Sequence, residues 1–361
     1  MTAASIPQAS RVRSSQPALQ GVIPYDPKYI PAEIYLSANE NPQTLPDVVM
    51  DEVYAQLRRA SLNRYPDPLA NELRDLIAVH YGLTRDNVLV GNAGDELLFD
   101  LALAWGGPNR TLLNCPPTFS VYGANAHLTD TRVIDVARKD DFSLDEEAVI
   151  ARAAQGDVDM VVITSPNNPT GNADPLEFIK RLLEATDALV LVDEAYGEFG
   201  TTPATPLLAD HENLVILHTF SKAYSAAGVR LGYVLAQPTV IQELLKVRQP
   251  YSVDSISQIV GCAIMRNTDV FADRIAAIIA ERERMAQCLA EIPGITVYPS
   301  QANFLLVRIP GADAVWQGLY DRGILVRDFS HAPGLENCLR ITIGSKEEND
   351  AVLAALEELL S

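Results

Sequence analysis

Cysteine, tryptophan and basic residues are scarce in this sequence of 361 residues. It contains 4 Cys and 2 Trp, and 28 Lys plus Arg stand against 47 Asp plus Glu, which gives a net charge of −19. Such a strongly acidic protein repels nucleic acids and anionic membranes. Neither is therefore an expected partner. The scattered cysteines show no CxxC or Cys/His spacing, so we expect no metal site and buried thiols in a reducing compartment.

Long apolar segments and several well-known motifs are absent too. No apolar run is long enough to span a bilayer, and residues 1–20 lack the apolar region of a signal peptide. The chain has no GxGxxG opening a helix, no GxxxxGK[ST], no HExxH and no GxSxG. These absences disfavour the chemistries that those motifs carry. We therefore expect a cytoplasmic protein that acts on small molecules.

Apolar residues make up 48% of the chain, enough for more than one hydrophobic core. Short β-branched runs alternate with amphipathic helical segments from about residue 50 to 250, which predicts an α/β fold with a mostly parallel sheet. The predicted strands of this part span residues 87–90, 110–114, 160–164, 188–192, 214–218 and 232–236.

The pattern changes after "RQPYSVDS" at residues 248–255. A long charged helix is predicted over residues 270–291, and shorter strands over 294–298, 303–309, 324–327 and 339–343. We therefore expect three parts: an N-terminal arm with part of the small domain at 1–49, a large domain at 50–255 and a smaller α+β domain at 256–361.

Five of the six strands of the large domain run directly into a polar or glycine-bearing turn. The turns are "GNAGDE", "CPPTFSVY", "SPNNPTG", "DEAYGEF" and "TFSKAY". Open α/β sheets bind their ligands at the carboxyl ends of the strands, so these turns are expected to gather around one site.

The last of these turns contains a lysine in "HTFSKAYSAAGVRLGY". Lys222 follows a buried strand, and the small residues after it cannot hide its charge by packing. Arg230 lies eight residues further on, and a second cation opposes protonation of an amine. Lys222 is therefore a candidate reactive amine.

The "GNAGDE" turn leads straight into an apolar helix, whose first amides can bind an anion. An ordinary turn with Asp95 and Glu96 in the first helical turn explains the same residues. Ser221 and Arg230 flank Lys222 and could complete an anion site with a hydroxyl and a guanidinium group.

Asp193 ends the apolar strand "ALVLV", where desolvation raises a carboxyl pKa unless a cation or strong donors lie beside it. A helix cap or turn aspartate is the alternative. Asn168 and Tyr196 can each donate a hydrogen bond at the same edge, although turn chemistry also explains "NNPTG". A reactive amine, an anion cradle, a carboxylate and these donors together form the set that pyridoxal 5'-phosphate (PLP) requires.

These residues resemble those of the fold-type I PLP-dependent aminotransferases, and within them the histidinol-phosphate aminotransferase group. The similarity covers nearly the whole chain. It is carried by "LSANENP", "NRYPDP", "GNAGDE", "SPNNPTG", "VDEAYGEF", "SKAYSAAGVRLGY", "QANFLLVR", "GILVRD" and "CLRITIG". The resemblance implies a large domain with a mostly parallel seven-stranded sheet flanked by helices, and a smaller α+β domain.

The resemblance also implies the roles of the cofactor-binding residues. Lys222 forms a Schiff base with PLP, Asp193 pairs with the pyridine nitrogen, and Asn168 and Tyr196 hold the O3' oxygen. The phosphate is expected to bind Ser221, Arg230 and the backbone at Ala93 and Gly94. Phe119 stands where the family usually stacks a tyrosine on the pyridine ring. Catalytic roles fall to Lys222, Asp193 and Tyr196.

Further residues are assigned to the substrate and to a partner subunit by the same resemblance. Tyr65 in "NRYPDP" is expected to reach the cofactor phosphate of the neighbouring subunit, which implies a homodimer. Arg340 matches the arginine that binds the substrate carboxylate, and Arg327 one that binds the phosphate end of histidinol phosphate. An exposed strand arginine is the alternative for Arg327. Tyr25 and Asn168 are the remaining expected substrate contacts.

The expected reaction is transamination between histidinol phosphate and 2-oxoglutarate in histidine biosynthesis. An aromatic amino-acid aminotransferase is the nearest alternative. A threonine-phosphate decarboxylase-type enzyme and a non-catalytic PLP-binding regulator are less favoured functions.

Overall fold

The computed structural model describes residues 30–361. The larger of its two sheets has seven strands. They are β2 (Val88–Gly91), β3 (Thr111–Asn114), β4 (Arg132–Asp135), β5 (Met160–Thr164), β6 (Leu189–Asp193), β7 (Leu214–Thr219) and β8 (Gly232–Ala236). Their spatial order is β2-β8-β7-β6-β5-β3-β4. Only β8 runs antiparallel to its neighbours, so the predicted mostly parallel seven-stranded sheet is confirmed.

The strands β5 to β8 are buried along their whole lengths. Helices on both faces cover them, which explains why their sequences are continuous apolar runs rather than alternating ones. The strands β5 and β8 match the predicted bounds residue for residue. Sequence analysis had no prediction for β4, an edge strand whose side chains are exposed or half-buried.

The second sheet has five strands: β1 (Ile34–Leu36), β9 (Thr296–Val297), β10 (Phe304–Arg308), β11 (Ile324–Asp328) and β12 (Cys338–Thr342). Their order is β1-β11-β12-β10-β9, and only the β1–β11 pair is parallel. The chain thus contributes its first described strand to the sheet that its last third forms. This strand is too short to be predicted from its sequence.

Eleven α-helices are described in residues 30–361. They are α1 (Asp47–Leu57), α2 (Asn71–Tyr81), α3 (Ala93–Trp105), α4 (Val121–Leu128), α5 (Glu146–Ala153), α6 (Leu176–Ala185), α7 (Pro238–Val247), α8 (Ser255–Arg266), α9 (Ala272–Glu291), α10 (Ala312–Tyr320) and α11 (Lys346–Leu360). None of the helices in this part of the chain is both long and apolar enough to cross a bilayer.

The helices α8 and α9, which follow each other in the chain, pack against different parts of the structure. The helix α8 packs against α1 and α2, whereas α9 contacts β9, β10 and α11 of the smaller sheet. Arg282 of α9 is buried and donates to the carbonyl oxygens of Phe199 and Ala302, at 3.1 and 3.0 Å. The domain boundary at residue 255 stays a prediction.

Candidate active site

A cavity of about 650 Å³ opens where the two sheets meet. The turns that follow β2, β3, β5, β6 and β7 line it, together with β11, β12 and the segment after β1. It is lined by eleven of the predicted site residues: Ala93, Gly94, Phe119, Asn168, Asp193, Tyr196, Ser221, Lys222, Arg230, Arg327 and Arg340. The five turns expected at one sheet edge therefore share one cavity.

Lys222 lies three residues beyond the end of β7, and its side chain is half-buried because it faces the cavity. Its Nζ donates to the carbonyl oxygen of Ala38 at 2.8 Å. Burial and the positive charges of Arg340 and Arg230 lower the pKa of Lys222 to about 8; burial has the largest effect, and Arg340 has a larger one than Arg230. An amine with such a pKa is partly unprotonated near neutrality and can act as a nucleophile or a base.

Asp193 is the last residue of β6 and is only 4% exposed. Burial raises its carboxyl pKa to about 6, against the hydrogen bonds that favour the ionised form. Tyr122 Oη donates to Asp193 Oδ2 at 2.6 Å, and the Ala195 amide donates to Oδ1 at 3.0 Å. No Lys or Arg of residues 30–361 forms an ion pair with this carboxyl group. The site thus offers a buried carboxylate to a cationic group of a ligand.

Tyr196 and Asn168 line the same cavity as Asp193. Tyr196 Oη accepts a hydrogen bond from Asn39 Nδ2 at 2.9 Å, and Asn168 Oδ1 accepts one from Arg340 Nη1 at 2.5 Å. Asn39 is in turn fixed by the smaller sheet, because Thr342 Oγ1 donates to its Oδ1 at 3.1 Å. Both predicted donors are therefore tied to β12 as well as to their own turns.

The anion cradle is predicted at the start of α3. Ala93 has a φ of 63°, and its neighbour Gly94 lies against Gly232 of β8. A Cβ atom on Gly232 would lie 2.9 Å from the Gly94 amide nitrogen, so only glycine permits this approach. Ser221 is buried beside the cradle, and Arg230 Nη2 lies 2.7 Å from Asp95 Oδ2. The Ser221 hydroxyl, the Arg230 guanidinium group and the first residues of α3 thus line the same cavity, and their role in binding an anion stays a prediction.

The two predicted substrate arginines face each other across neighbouring strands. Arg327 of β11 and Arg340 of β12 are paired residues, and both line the cavity. Their guanidinium carbons lie 5.9 and 5.7 Å from the centroid of the Phe329 ring. Arg340 Nη2 also donates to the carbonyl oxygen of Ser37 at 2.6 Å. Paired cations repel each other, so the arrangement favours an anionic ligand between them.

Phe119 lines the cavity, whereas Tyr65 does not. Phe119 packs edge to face on Tyr122, with ring centroids 5.7 Å apart. Tyr65 does not line the cavity of its own chain: it is 81% exposed and stacks on Tyr251 at 4.6 Å. Tyr25 lies outside the described residues. The functional roles of all these residues stay predictions.

Sequence analysis missed Tyr122 and Asn39 as site residues. Tyr122 stands three residues after Phe119 in the same "CPPTFSVY" segment, and its amide donates to the Phe119 carbonyl oxygen at 3.4 Å. Asn39 lies in "LSANENP", a segment used only for the resemblance. The only signal for Tyr122 and Asn39 was that each stands within a sequence motif. Their hydrogen-bond partners, Asp193 and Tyr196, are far away in the sequence.

Comparisons with known proteins agree with this geometry. A model of the family described as aminotransferase class I and II matches residues 31–356. Histidinol-phosphate aminotransferase 1 of Carboxydothermus hydrogenoformans is 42% identical over 338 residues, which cover 93% of this chain and 96% of that protein. The histidinol-phosphate aminotransferase of Thermococcus kodakarensis is 42% identical over 325 residues, which cover 90% and 92%.

A solved structure extends the likeness to three dimensions. The histidinol-phosphate aminotransferase of Sinorhizobium meliloti, in complex with pyridoxal-5'-phosphate, superposes with a TM-score of 0.89 and 25% identity. The match covers 98% of this chain and 99% of that one. The predicted fold type and enzyme class are thereby confirmed. This chain belongs to the class I and II aminotransferases, as its resemblance to the PLP-dependent enzymes of fold type I predicts.

Proposed function

We propose that this aminotransferase transfers the amino group of histidinol phosphate to 2-oxoglutarate, with PLP as its cofactor. The observation that carries the substrate is the facing pair Arg327 and Arg340 in the same cavity as Lys222. A guanidinium group binds a phosphate or a carboxylate with two parallel hydrogen bonds. The names of the 42% identical relatives support the same substrate.

The cavity fits the cofactor. Asp193 is a buried carboxylate without an ion-pair partner among residues 30–361, and a protonated ring nitrogen would supply the missing cation. Ser221, Arg230 and the amides at Ala93 and Gly94 would hold the phosphate, and Phe119 would pack on the ring. Tyr196 and Asn168 would hold the phenolic oxygen.

The protein groups divide the work of the reaction. Bound PLP supplies an electron sink for the bonds at the substrate α-carbon. Lys222 Nζ would accept the proton of the substrate α-carbon and deliver it to the C4' carbon of the cofactor, because a pKa of about 8 suits both proton uptake and proton release near neutral pH. Asp193 holds positive charge at the ring nitrogen, while Arg327 and Arg340 orient the substrate.

Absorbance spectroscopy of the purified holoenzyme tests the proposal. Histidinol phosphate should rapidly remove the absorbance band of enzyme-bound PLP, and 2-oxoglutarate should restore it. Phenylalanine and threonine phosphate serve as parallel donors. A response to phenylalanine alone would identify an aromatic aminotransferase, and release of CO2 from threonine phosphate would identify a decarboxylase. PLP binding without any exchange of amino groups would indicate a non-catalytic PLP-binding regulator.

We further propose that the enzyme is a homodimer in which Tyr65 completes the neighbouring active site. Its 81% exposure and its stacking on Tyr251 leave an aromatic pair on the surface of one chain. Mixing inactive Lys222→Ala subunits with weakened Tyr65→Ala subunits tests this. Hybrid dimers would contain one site with both defects and one site with neither, so activity should recover on mixing. No recovery in verified hybrids would contradict the shared site.

We also propose a cytoplasmic location. All four cysteines are free: Cys115, Cys262 and Cys338 are buried and Cys288 is half-buried. Unpaired thiols are typical of proteins in reducing compartments. Fractionation of the source cells, with the chain detected by mass spectrometry, tests this location.

A further inference from the structure

We propose that Tyr122 is a positioning residue that keeps Asp193 ionised and correctly oriented toward the cofactor, through a hydrogen-bond relay that begins at Thr164. The inference rests on the proposed pairing of Asp193 with the ring nitrogen of PLP. It adds a residue that does not itself need to touch the cofactor.

The relay has a defined direction. Thr164 Oγ1 donates to Tyr122 Oη at 2.8 Å, and Tyr122 Oη donates to Asp193 Oδ2 at 2.6 Å. All three residues are at most 4% exposed, so water does not compete for these bonds. Because the Thr164 hydroxyl points its hydrogen at Tyr122 Oη, the single hydrogen of Tyr122 is directed at the carboxylate. A hydrogen bond from a neutral donor to a charged acceptor favours the ionised form.

The fold itself brings the three residues together. Thr164 ends β5 and Asp193 ends β6, and the two residues are paired in the parallel register of these strands. Tyr122 approaches from α4, and its ring packs against Phe119 at 5.7 Å. Two strands and a helix thus fix the geometry of the relay before any ligand binds.

The electrostatic surroundings make this donor important. Burial raises the pKa of Asp193 to about 6, and the negative charge of Asp95 acts in the same direction. The hydrogen bonds from Tyr122 and the Ala195 amide oppose both, in that order of size. The other charged groups that line the cavity are Glu40, Lys222, Arg230, Arg327 and Arg340, and none of them forms an ion pair with Asp193. Tyr122 is therefore the largest influence that favours the carboxylate.

Equilibrium dialysis of the holoenzyme against buffers from about pH 5 to 8 measures the dissociation constant of PLP. Protonation of Asp193 should weaken binding, so affinity falls below a midpoint pH. In Tyr122→Phe we expect that midpoint to rise by about one pH unit, and PLP binding at about pH 6 to weaken about fivefold. The matched control is Tyr233→Phe, which removes an equally buried hydroxyl that bonds Tyr81 Oη at 2.8 Å. It should keep the midpoint of the unchanged enzyme.

Two variants of Thr164 provide an independent check if Tyr122→Phe does not fold. Thr164→Val should move the midpoint in the same direction by a smaller amount, and Thr164→Ser should restore it. An unchanged midpoint in correctly folded Tyr122→Phe or Thr164→Val would overturn the relay.

Asp193→Asn separates this outcome from failure of the proposed function. That variant should lose the pH dependence that Tyr122→Phe shifts. If Asp193→Asn keeps the full profile, the role of Asp193 is wrong. If it loses the profile and Tyr122→Phe does not shift it, only the role of Tyr122 is wrong.

Discussion

The facing arginines predict that one substitution will raise stability and lower activity. Arg327 and Arg340 occupy paired positions on β11 and β12, and their guanidinium carbons approach the same Phe329 ring at 5.9 and 5.7 Å. Like charges directly opposite each other cost roughly 0.2–1 kcal/mol. Replacing Arg327 by glutamine should therefore stabilise the enzyme without substrate by up to about 1 kcal/mol, measured by urea unfolding of the holoenzyme.

The same change should weaken the reaction with a phosphorylated substrate. A hydrogen bond to a charged group contributes roughly 1.5–3 kcal/mol, and each 1.4 kcal/mol corresponds to about tenfold in rate. We therefore expect kcat/KM for histidinol phosphate to fall about 10- to 100-fold. Turnover of phenylalanine, which has no phosphate, should change less than threefold.

The control is Arg322→Gln, on the same domain but outside the cavity, where Arg322 lies 3.4 Å from Glu358 on the surface. It should change neither quantity appreciably. Equal losses for histidinol phosphate and phenylalanine in Arg327→Gln would show that Arg327 has no selective contact with phosphate. Reduced stability would refute the argument from paired charges.

Three other changes test the site and its surroundings. Lys222→Ala should lower turnover by about 10⁴ or more, and borohydride should attach PLP covalently to the unchanged enzyme but not to this variant, as seen by mass spectrometry. Gly232→Ala places a Cβ 2.9 Å from the Gly94 amide and should cost about 1–3 kcal/mol in unfolding and weaken PLP binding, whereas Gly228→Ala meets nothing within 4 Å. Burial raises the pKa of Glu198 from 4.5 to about 8, so its protonation contributes fully to stability below pH 4.5, and this contribution is lost as the pH rises from 4.5 through about 8. Glu198→Gln should therefore flatten the decline in unfolding free energy over that interval, and an unchanged slope would contradict this assignment.

Much of the fold follows from local sequence. The predicted strands at 160–164 and 232–236 coincide with β5 and β8, because a continuous apolar run bounded by polar or glycine turns is a local signal. The three-residue β1 and the half-exposed β4 were not predicted. Their stability comes from neighbours distant in sequence, since β1 pairs with β11 and β4 pairs with β3.

The candidate site shows the same division. The sequence by itself determined which groups stand at the ends of strands, including Lys222 and Asp193, because strand ends and turns are set by neighbouring residues. Only the tertiary structure decided their partners: Tyr122 for Asp193, and Arg340 opposite Arg327. Tyr122 and Asp193 are 71 positions apart in the sequence. Such contacts depend on strand register and helix packing, which many distant residues fix together.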